Sequence, residues 1–300
     1  MLLRKLKKFA GLFLKLALAG GIVAFLIARN PKEIIEGFSN FNYLYLIPAL
    51  FFYGSHIFVC SFRWHELARM INVKISYFEA LSLTFQGNFF SLVIPGGAIG
   101  GDVVKRGVLS RRTAKGEKLE GAFSILMDRI IGMIALFLMV LLILGPSVPL
   151  LLKVQVPQVT LSESVIYLWI AALAGLCLAG LGASLAVFFH RFFFALPLIG
   201  PMMRWGDKLT KGMVTRMTDA TDIYKKSAGK LTLLTIISIF FVLLMCVLVF
   251  YFLMRGVGCT NDITVLNLVA AVAIGNVVGL IPIFPAGVGG RDVVTITILV

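Results

Sequence analysis

Charge is what this sequence has least of. Only 14% of its 300 residues are Asp, Glu, Lys or Arg, whereas 59% are hydrophobic. A soluble domain carries roughly 25% charged residues. Surface-to-volume scaling also leaves a chain of this length too much surface to hide so large an apolar share in one core. An ordinary soluble enzyme and a disordered chain are excluded; the solvent is a bilayer. Acids are scarcer than bases, 14 against 28. There is no DDxxD run to hold metal ions for pyrophosphate chemistry. Histidines number three, and His65-Glu66 lacks the second histidine of a zincin motif. The four cysteines form no CxxC and no Cys/His set with metal spacing, which excludes a disulfide scaffold and a zinc site. Cys60, Cys177 and Cys246 lie in or beside apolar runs and Cys259 in a short loop, so they read as packing residues. No cofactor and no metal are expected.

What is present is a net charge of +14. In a chain this apolar it reads as cytoplasmic loops under the positive-inside rule and attraction to anionic lipid heads, with no nucleic-acid partner. A spanning helix needs about 20 mostly apolar residues. Spans are expected at about 11–28, 43–62, 122–144, 165–189 and 231–254. Two more apolar stretches, Phe78–Ile94 and Ile263–Ile281, run into Gly/Pro-rich turns. The first span follows Arg4, Lys5, Lys7 and Lys8, and Lys15 interrupts its apolar region, which argues against a cleaved signal peptide.

Loop charges set the orientation. The N-terminus is basic and goes inside, whereas 29–42 balances Arg29 and Lys32 against Glu33 and Glu36 and goes outside. Segment 63–78 (Arg63, Arg69, Lys74) and segment 102–120 (Lys105, Arg106, Arg111, Arg112, Lys115, Lys118) both want the inside. They share a side only if about 78–101 enters from the cytoplasm, turns at Pro95-Gly96-Gly97 and returns. Segment 145–164 is nearly neutral and outside, and 190–230, with eight basic residues against three Asp, is inside. The expected location is therefore the cell inner (cytoplasmic) membrane, multi-pass, with the N-terminus cytoplasmic.

The two glycine-rich turns repeat each other. Each follows a Gly-Asn pair, Gly87-Asn88 and Gly275-Asn276. Pro95/Pro285, Gly97/Gly287, Gly100/Gly290 and Asp102/Asp292 then keep the same offsets. The second re-entrant segment, about 263–292, would enter from the opposite side, and the last span is incomplete at 293–300. The fold class expected is an all-α polytopic membrane protein, one integral membrane domain over 1–300, with an inverted repeat of helices and two Gly/Pro-rich re-entrant segments. Paired broken helices of this kind point to a midplane site, although glycines can also serve close helix packing.

Charges at membrane depth are functional candidates. Asp128-Arg129 precedes an uninterrupted apolar run, Asp102 and Arg106 are spaced to face each other on a helix, Arg63-Trp64 closes a span as an interfacial anchor, and Arg291-Asp292 closes the second turn. Backbone N–H groups in glycine-rich turns and arginine forks suit phosphate. The expected head-group site is Arg63, Asn88, Gly96, Gly97, Gly100, Gly101, Asp102, Arg106, Asp128, Arg129, Asn276, Gly287, Gly289, Gly290, Arg291 and Asp292. Asp102 stands where a P-loop needs lysine, so Gly96–Asp102 is no nucleotide site. Within the connector 201–230, Leu209, Met213, Met217, Ala220 and Tyr224 recur at helical spacing among Lys208, Lys211, Arg216 and Lys225. This predicts an amphipathic helix on the inner leaflet.

Arg63-Trp64, Gly87-Asn88, the Pro95–Asp102 turn with Arg106, Asp128-Arg129-Ile-Ile-Gly132 and the Pro285–Asp292 turn together resemble the lysylphosphatidylglycerol synthase transmembrane region. That is the flippase-like membrane domain of the multiple peptide resistance factor and its stand-alone relatives. The resemblance runs from about residue 10 to the C-terminus. It implies translocation of lipids or lipid-linked molecules by a polytopic membrane protein. Gly290-Arg291-Asp292 departs from the family's Gly-x-Arg-Glu by a shorter carboxylate. No stretch here is expected to hold the family's soluble synthase domain, so the chain is expected not to be an enzyme. Three functions follow: a flippase handling an anionic phospholipid or lipid-linked head group, a non-catalytic subunit or anchor partnering a lipid-modifying enzyme, or a membrane-bound lipid transferase.

Overall fold

The computed structural model describes residues 36–93, 98–112, 118–152, 162–189, 201, 205, 207, 213–258, 264–280 and 290–299. The expected span at 11–28 and the turns at 94–97 and 281–289 lie outside the described residues. Among the described residues every regular element is helical. Helix α1 is Leu46–Met70, entered through a 3-10 turn at Tyr43–Tyr45; α2 is Tyr77–Val93, α3 Ala98–Arg112 and α4 Lys118–Leu151. Helix α5 is Glu163–Ala186, α6 Met213–Lys226, α7 Ala228–Ile237, α8 Leu243–Gly256, α9 Val265–Gly279 and α10 Gly290–Leu299. A π-helical segment, Ser238–Val242, joins α7 to α8 in one continuous span.

Among the described residues four helices are long and apolar enough to cross a membrane: Tyr43–Met70, Lys118–Leu151, Glu163–Phe189 and Ala228–Gly256. They correspond to four of the expected spans, and two of them are markedly longer. The span expected to end at Phe62 continues to Met70. Arg63 and Trp64 therefore do not sit at an interface; they are buried at 7% and 0% exposure. The span expected over 122–144 runs from Lys118 to Leu151, through Pro146 and Pro149. A proline removes one intrahelical bond but keeps helical φ, and near a helix end that loss is small.

Helix α4 organises the bundle. Its 34 residues rise about 50 Å, more than the roughly 30 Å of a hydrocarbon core. Half of its most apolar stretch is buried inside the protein, against 11–17% for the other three spans. Two core layers form along it. Phe123, Met127 and Ile131 pack with Trp64, Leu67, Leu83, Leu109 and Tyr224. Further along, Phe137, Val140 and Ile143 pack with Val247 and the small-residue face of α9, Ala270–Ile274.

Helices α2 and α3 fold back on each other as a hairpin, and so do α9 and α10. In the first, a Cβ added to Gly101 would lie 2.0 Å from the Gly87 carbonyl oxygen, and one added to Gly87 would lie 3.1 Å from Cε of Lys105. In the second, a Cβ on Gly275 would lie 2.3 Å from Thr295 Oγ1 and 3.2 Å from the Arg291 carbonyl oxygen. Gly101 and Lys105 follow Pro95 at the same offsets by which Arg291 and Thr295 follow Pro285. The glycine of each Gly-Asn pair thus meets the same two positions of its returning arm. The returning arm of the first hairpin stays helical to Arg112, through much of what the charge pattern marks as loop.

Helix α6 differs from the leaflet-bound expectation. Its apolar face docks on the bundle: Ala220 and Tyr224 are buried in the first core layer, and the Tyr224 hydroxyl donates to the Leu67 carbonyl at 2.9 Å. Burial pushes the Tyr224 phenol far above its ordinary value, so it remains a donor at any working pH. Arg216 pairs with Glu120 on α4, and Lys230 with Glu66 on α1, which fastens the same end of the bundle. Once α1 and α4 present a groove, protein is a better cover for that apolar face than a leaflet surface.

Candidate functional site

Polar groups from four elements meet in the first core layer. Helix α1 brings Arg63 and Trp64, α3 brings Asp102 and Lys105, α4 brings Ser124, Asp128 and Arg129, and the π segment brings Ser238. Arg63 Nε donates to Asp128 Oδ1 at 2.7 Å and its Nη1 to Ser238 Oγ at 2.9 Å. Ser238 passes its own proton to the Leu234 carbonyl at 2.8 Å. Gly132 makes room for the guanidinium: a Cβ there would lie 3.3 Å from Arg63 Nη2. The Trp64 indole N–H donates to Ser124 Oγ at 3.2 Å, and Lys105 Nζ lies 4.4 Å from the centre of the Trp64 ring.

One residue along α4, Arg129 grips Asp102 with two parallel bonds, Nε to Oδ2 at 2.7 Å and Nη2 to Oδ1 at 2.9 Å. The two ion pairs differ in exposure. The Arg63 and Asp128 side chains are 8% and 12% exposed, whereas those of Arg129 and Asp102 are 42% and 20% exposed. A buried, hydrogen-bonded pair is a strut, because losing either partner leaves the other charged and unsolvated. A half-exposed fork on a carboxylate is exchangeable, because phosphate offers arginine the same bidentate geometry.

The structure sorts the expected site residues. Arg63, Asp102, Asp128 and Arg129 come together. Asp102 faces Arg129 and not Arg106, which is exposed on the outer side of α3; the tertiary partner outcompetes the neighbour along the helix. Gly101 is buried at the crossing with Gly87, Gly100 is buried on the same arm, and Asn88 and Asn276 are half-buried. Arg291 lays its stem across Gly275 and Gly279 in the second hairpin, and Gly290 opens α10. Gly96, Gly97, Gly287 and Gly289, and the Asp292 side chain, lie outside the described residues.

Two site residues escape the sequence reading. Lys105 is counted there only as one of many loop charges, yet it is 6% exposed. Its signal is positional: it stands where the second hairpin has Thr295. Ser238 has no signal, being one hydroxyl in an apolar span. Such π segments frequently mark functional positions. Beside this one, His56 is placed between two thiols, Nδ1 3.5 Å from Cys246 Sγ and Nε2 3.7 Å from Cys60 Sγ. Because the thiols use opposite ring nitrogens, they do not converge on one point, and no group among the described residues could hold a metal ion.

The second hairpin packs on α4 from Phe137 onward, eight residues and about 12 Å along the helix from Arg129. The two hairpins thus meet α4 at different depths. No curated protein and no solved structure matches the chain. The family model described as the lysylphosphatidylglycerol synthase TM region matches residues 12–300, and the chain belongs to that family of multi-pass, lipid-related membrane proteins.

Proposed function

We propose that this protein is flippase-like: it translocates or presents an anionic phospholipid or lipid-linked head group, with no catalytic chemistry of its own. The observation that carries this reading is the half-exposed Arg129–Asp102 fork at the edge of a buried charge cluster. An arriving phosphate takes the place of Asp102 on Arg129, and Asp102 recovers the arginine when the lipid leaves. Acyl tails stay in the bilayer against the exposed apolar faces of the spans. The matched glycine contacts of the two hairpins support an inverted pair of re-entrant segments, entering α4 at different depths. We place the protein in the inner (cytoplasmic) membrane with its N-terminus cytoplasmic; a lipid-modifying enzyme supplying or consuming the same lipid is the fitting partner.

Reconstitution tests this. In liposomes with fluorescent phosphatidylglycerol, the wild type accelerates lipid movement. Arg129→Ala lowers the rate by about tenfold or more, the cost of a charge-assisted fork, and Asp102→Ala slows release. Folded protein that moves no anionic lipid would overturn the flippase reading in favour of a non-catalytic subunit. The orientation has its own check. In a background without the four native cysteines, Ser76→Cys before α2 and Ser110→Cys near the end of α3 should label from the same side of the membrane. Labelling from opposite sides would make the first hairpin a pair of spans.

A further inference from the structure

Among the described residues the charge cluster does not balance. Arg63, Lys105 and Arg129 supply three positive charges, and Asp102 and Asp128 supply two negative ones. Asp128 is taken by Arg63, and both oxygens of Asp102 are taken by Arg129. Lys105 is the surplus. It has no hydrogen bond and no ion pair with any described residue; its one partner is the face of Trp64. Residues 94–97, between α2 and α3 in sequence, include no ionisable residue.

Nor is Lys105 free to leave. Its Cγ, Cδ and Cε lie against Gly87, within 3.1–3.2 Å of where a Cβ would be, and the residue is 6% exposed above a fully buried tryptophan. A cation–π contact offsets only a small part of the cost of desolvating an ammonium. A long side chain normally snorkels outward in that position, but this one is held in. The cluster meets the surface at the Arg129–Asp102 fork.

We propose that Lys105 is the anion receptor of the lipid site, and that the ligand it accepts is a single phosphodiester carrying one negative charge. This rests on the lipid-handling reading above and decides between its two ligand classes. One phosphodiester neutralises the surplus of one. A pyrophosphate-linked lipid brings at least two negative charges and leaves the cluster with an uncompensated negative one, as costly as the positive one it replaces. An ammonium suits the deep position because it is a compact point charge with three rotatable donors. The Trp64 indole N–H, occupied by Ser124, does not compete for the ligand.

Trp64 also supplies the readout. The chain has three tryptophans, so Trp169→Phe with Trp205→Phe leaves Trp64 alone in the full-length protein. In neutral detergent, dioctanoyl phosphatidylglycerol should change its emission saturably. Lys105→Met should weaken that binding about tenfold or more, as expected for losing a charged hydrogen-bond partner, while Lys105→Arg retains it. Lys105→Met should also raise the melting temperature of the lipid-free protein, because it removes an unpaired buried charge; a merely structural lysine would lower it. Lys105→Gln serves as the second variant should Lys105→Met not accumulate. Unchanged lipid affinity in the folded Met or Gln variant would overturn the proposal. So would tighter binding of farnesyl diphosphate than of phosphatidylglycerol, or inorganic phosphate saturating at the same concentration as the lipid. Lys105-dependent binding in a protein that moves no lipid in vesicles would leave this assignment standing and remove the transport reading.

Discussion

Asp128→Ala is expected to destabilise the protein by about 3–5 kcal/mol, the usual cost of leaving one member of a buried pair unpaired. Arg63, 7% exposed, would keep Ser238 Oγ as its one side-chain acceptor among the described residues. Thermal unfolding in detergent, followed by size-exclusion recovery, reads the loss directly. The double variant Arg63→Met, Asp128→Leu should regain most of it, because two apolar side chains of similar volume need no partner. A double variant as unstable as Asp128→Ala would show that the pair contributes through something other than its charges. The same comparison separates strut from site: the double variant keeps the Arg129–Asp102 fork and should retain lipid movement wherever it folds.

Gly101→Ala is the second large effect. Its methyl group would lie 2.0 Å from the Gly87 carbonyl oxygen and 2.2 Å from Ser91 Oγ. Backbone cannot rotate away as a side-chain end can, so α2 and α3 must separate. Overpacking of this kind costs about 1–3 kcal/mol and here should reach the top of that range or beyond it. Separation would also lift Lys105 off Trp64, so the substitution should lower both melting temperature and lipid binding. Gly107→Ala on the same helix has open space around it and should be neutral or stabilising by up to about 1 kcal/mol, since alanine is the better helix former. Gly275→Ala falls between them, because the nearest obstacle is the movable Thr295 hydroxyl. Equal effects at positions 101 and 107 would mean that the hairpin crossing is not as close as described.

Much of this arrangement was legible before any coordinates. Four spans and the two apolar arms follow from a local quantity, hydropathy over about 20 residues. Helix ends were less legible. Arg63 reads as an interfacial anchor because a charge usually ends a span, and Asp128 as a head-group contact at membrane depth; in the structure each is the other's solvent. Asp102 read as the partner of Arg106 on spacing alone; Arg129, 27 positions away in sequence, takes both of its oxygens. Lys105 was hidden among the basic residues that set topology. Nothing in its neighbours along the chain distinguishes a lysine facing cytoplasm from one lying on Trp64.

What the sequence determined by itself is the solvent and the family: 59% hydrophobic residues and 14% charged ones leave only a bilayer, and the motif set is specific enough to name the relatives. Its net charge of +14 also predicts an orientation, since loop charge acts residue by residue and needs no contacts. Only the tertiary structure decided which charges cancel. Pairing depends on distances between helices far apart in the chain, and a desolvated charge is stable or costly according to what lies within about 4 Å of it. By that test two arginines are matched, one exchangeably. The surplus that sequence arithmetic spreads over the loops includes one lysine kept inside the membrane domain, buried on the face of Trp64.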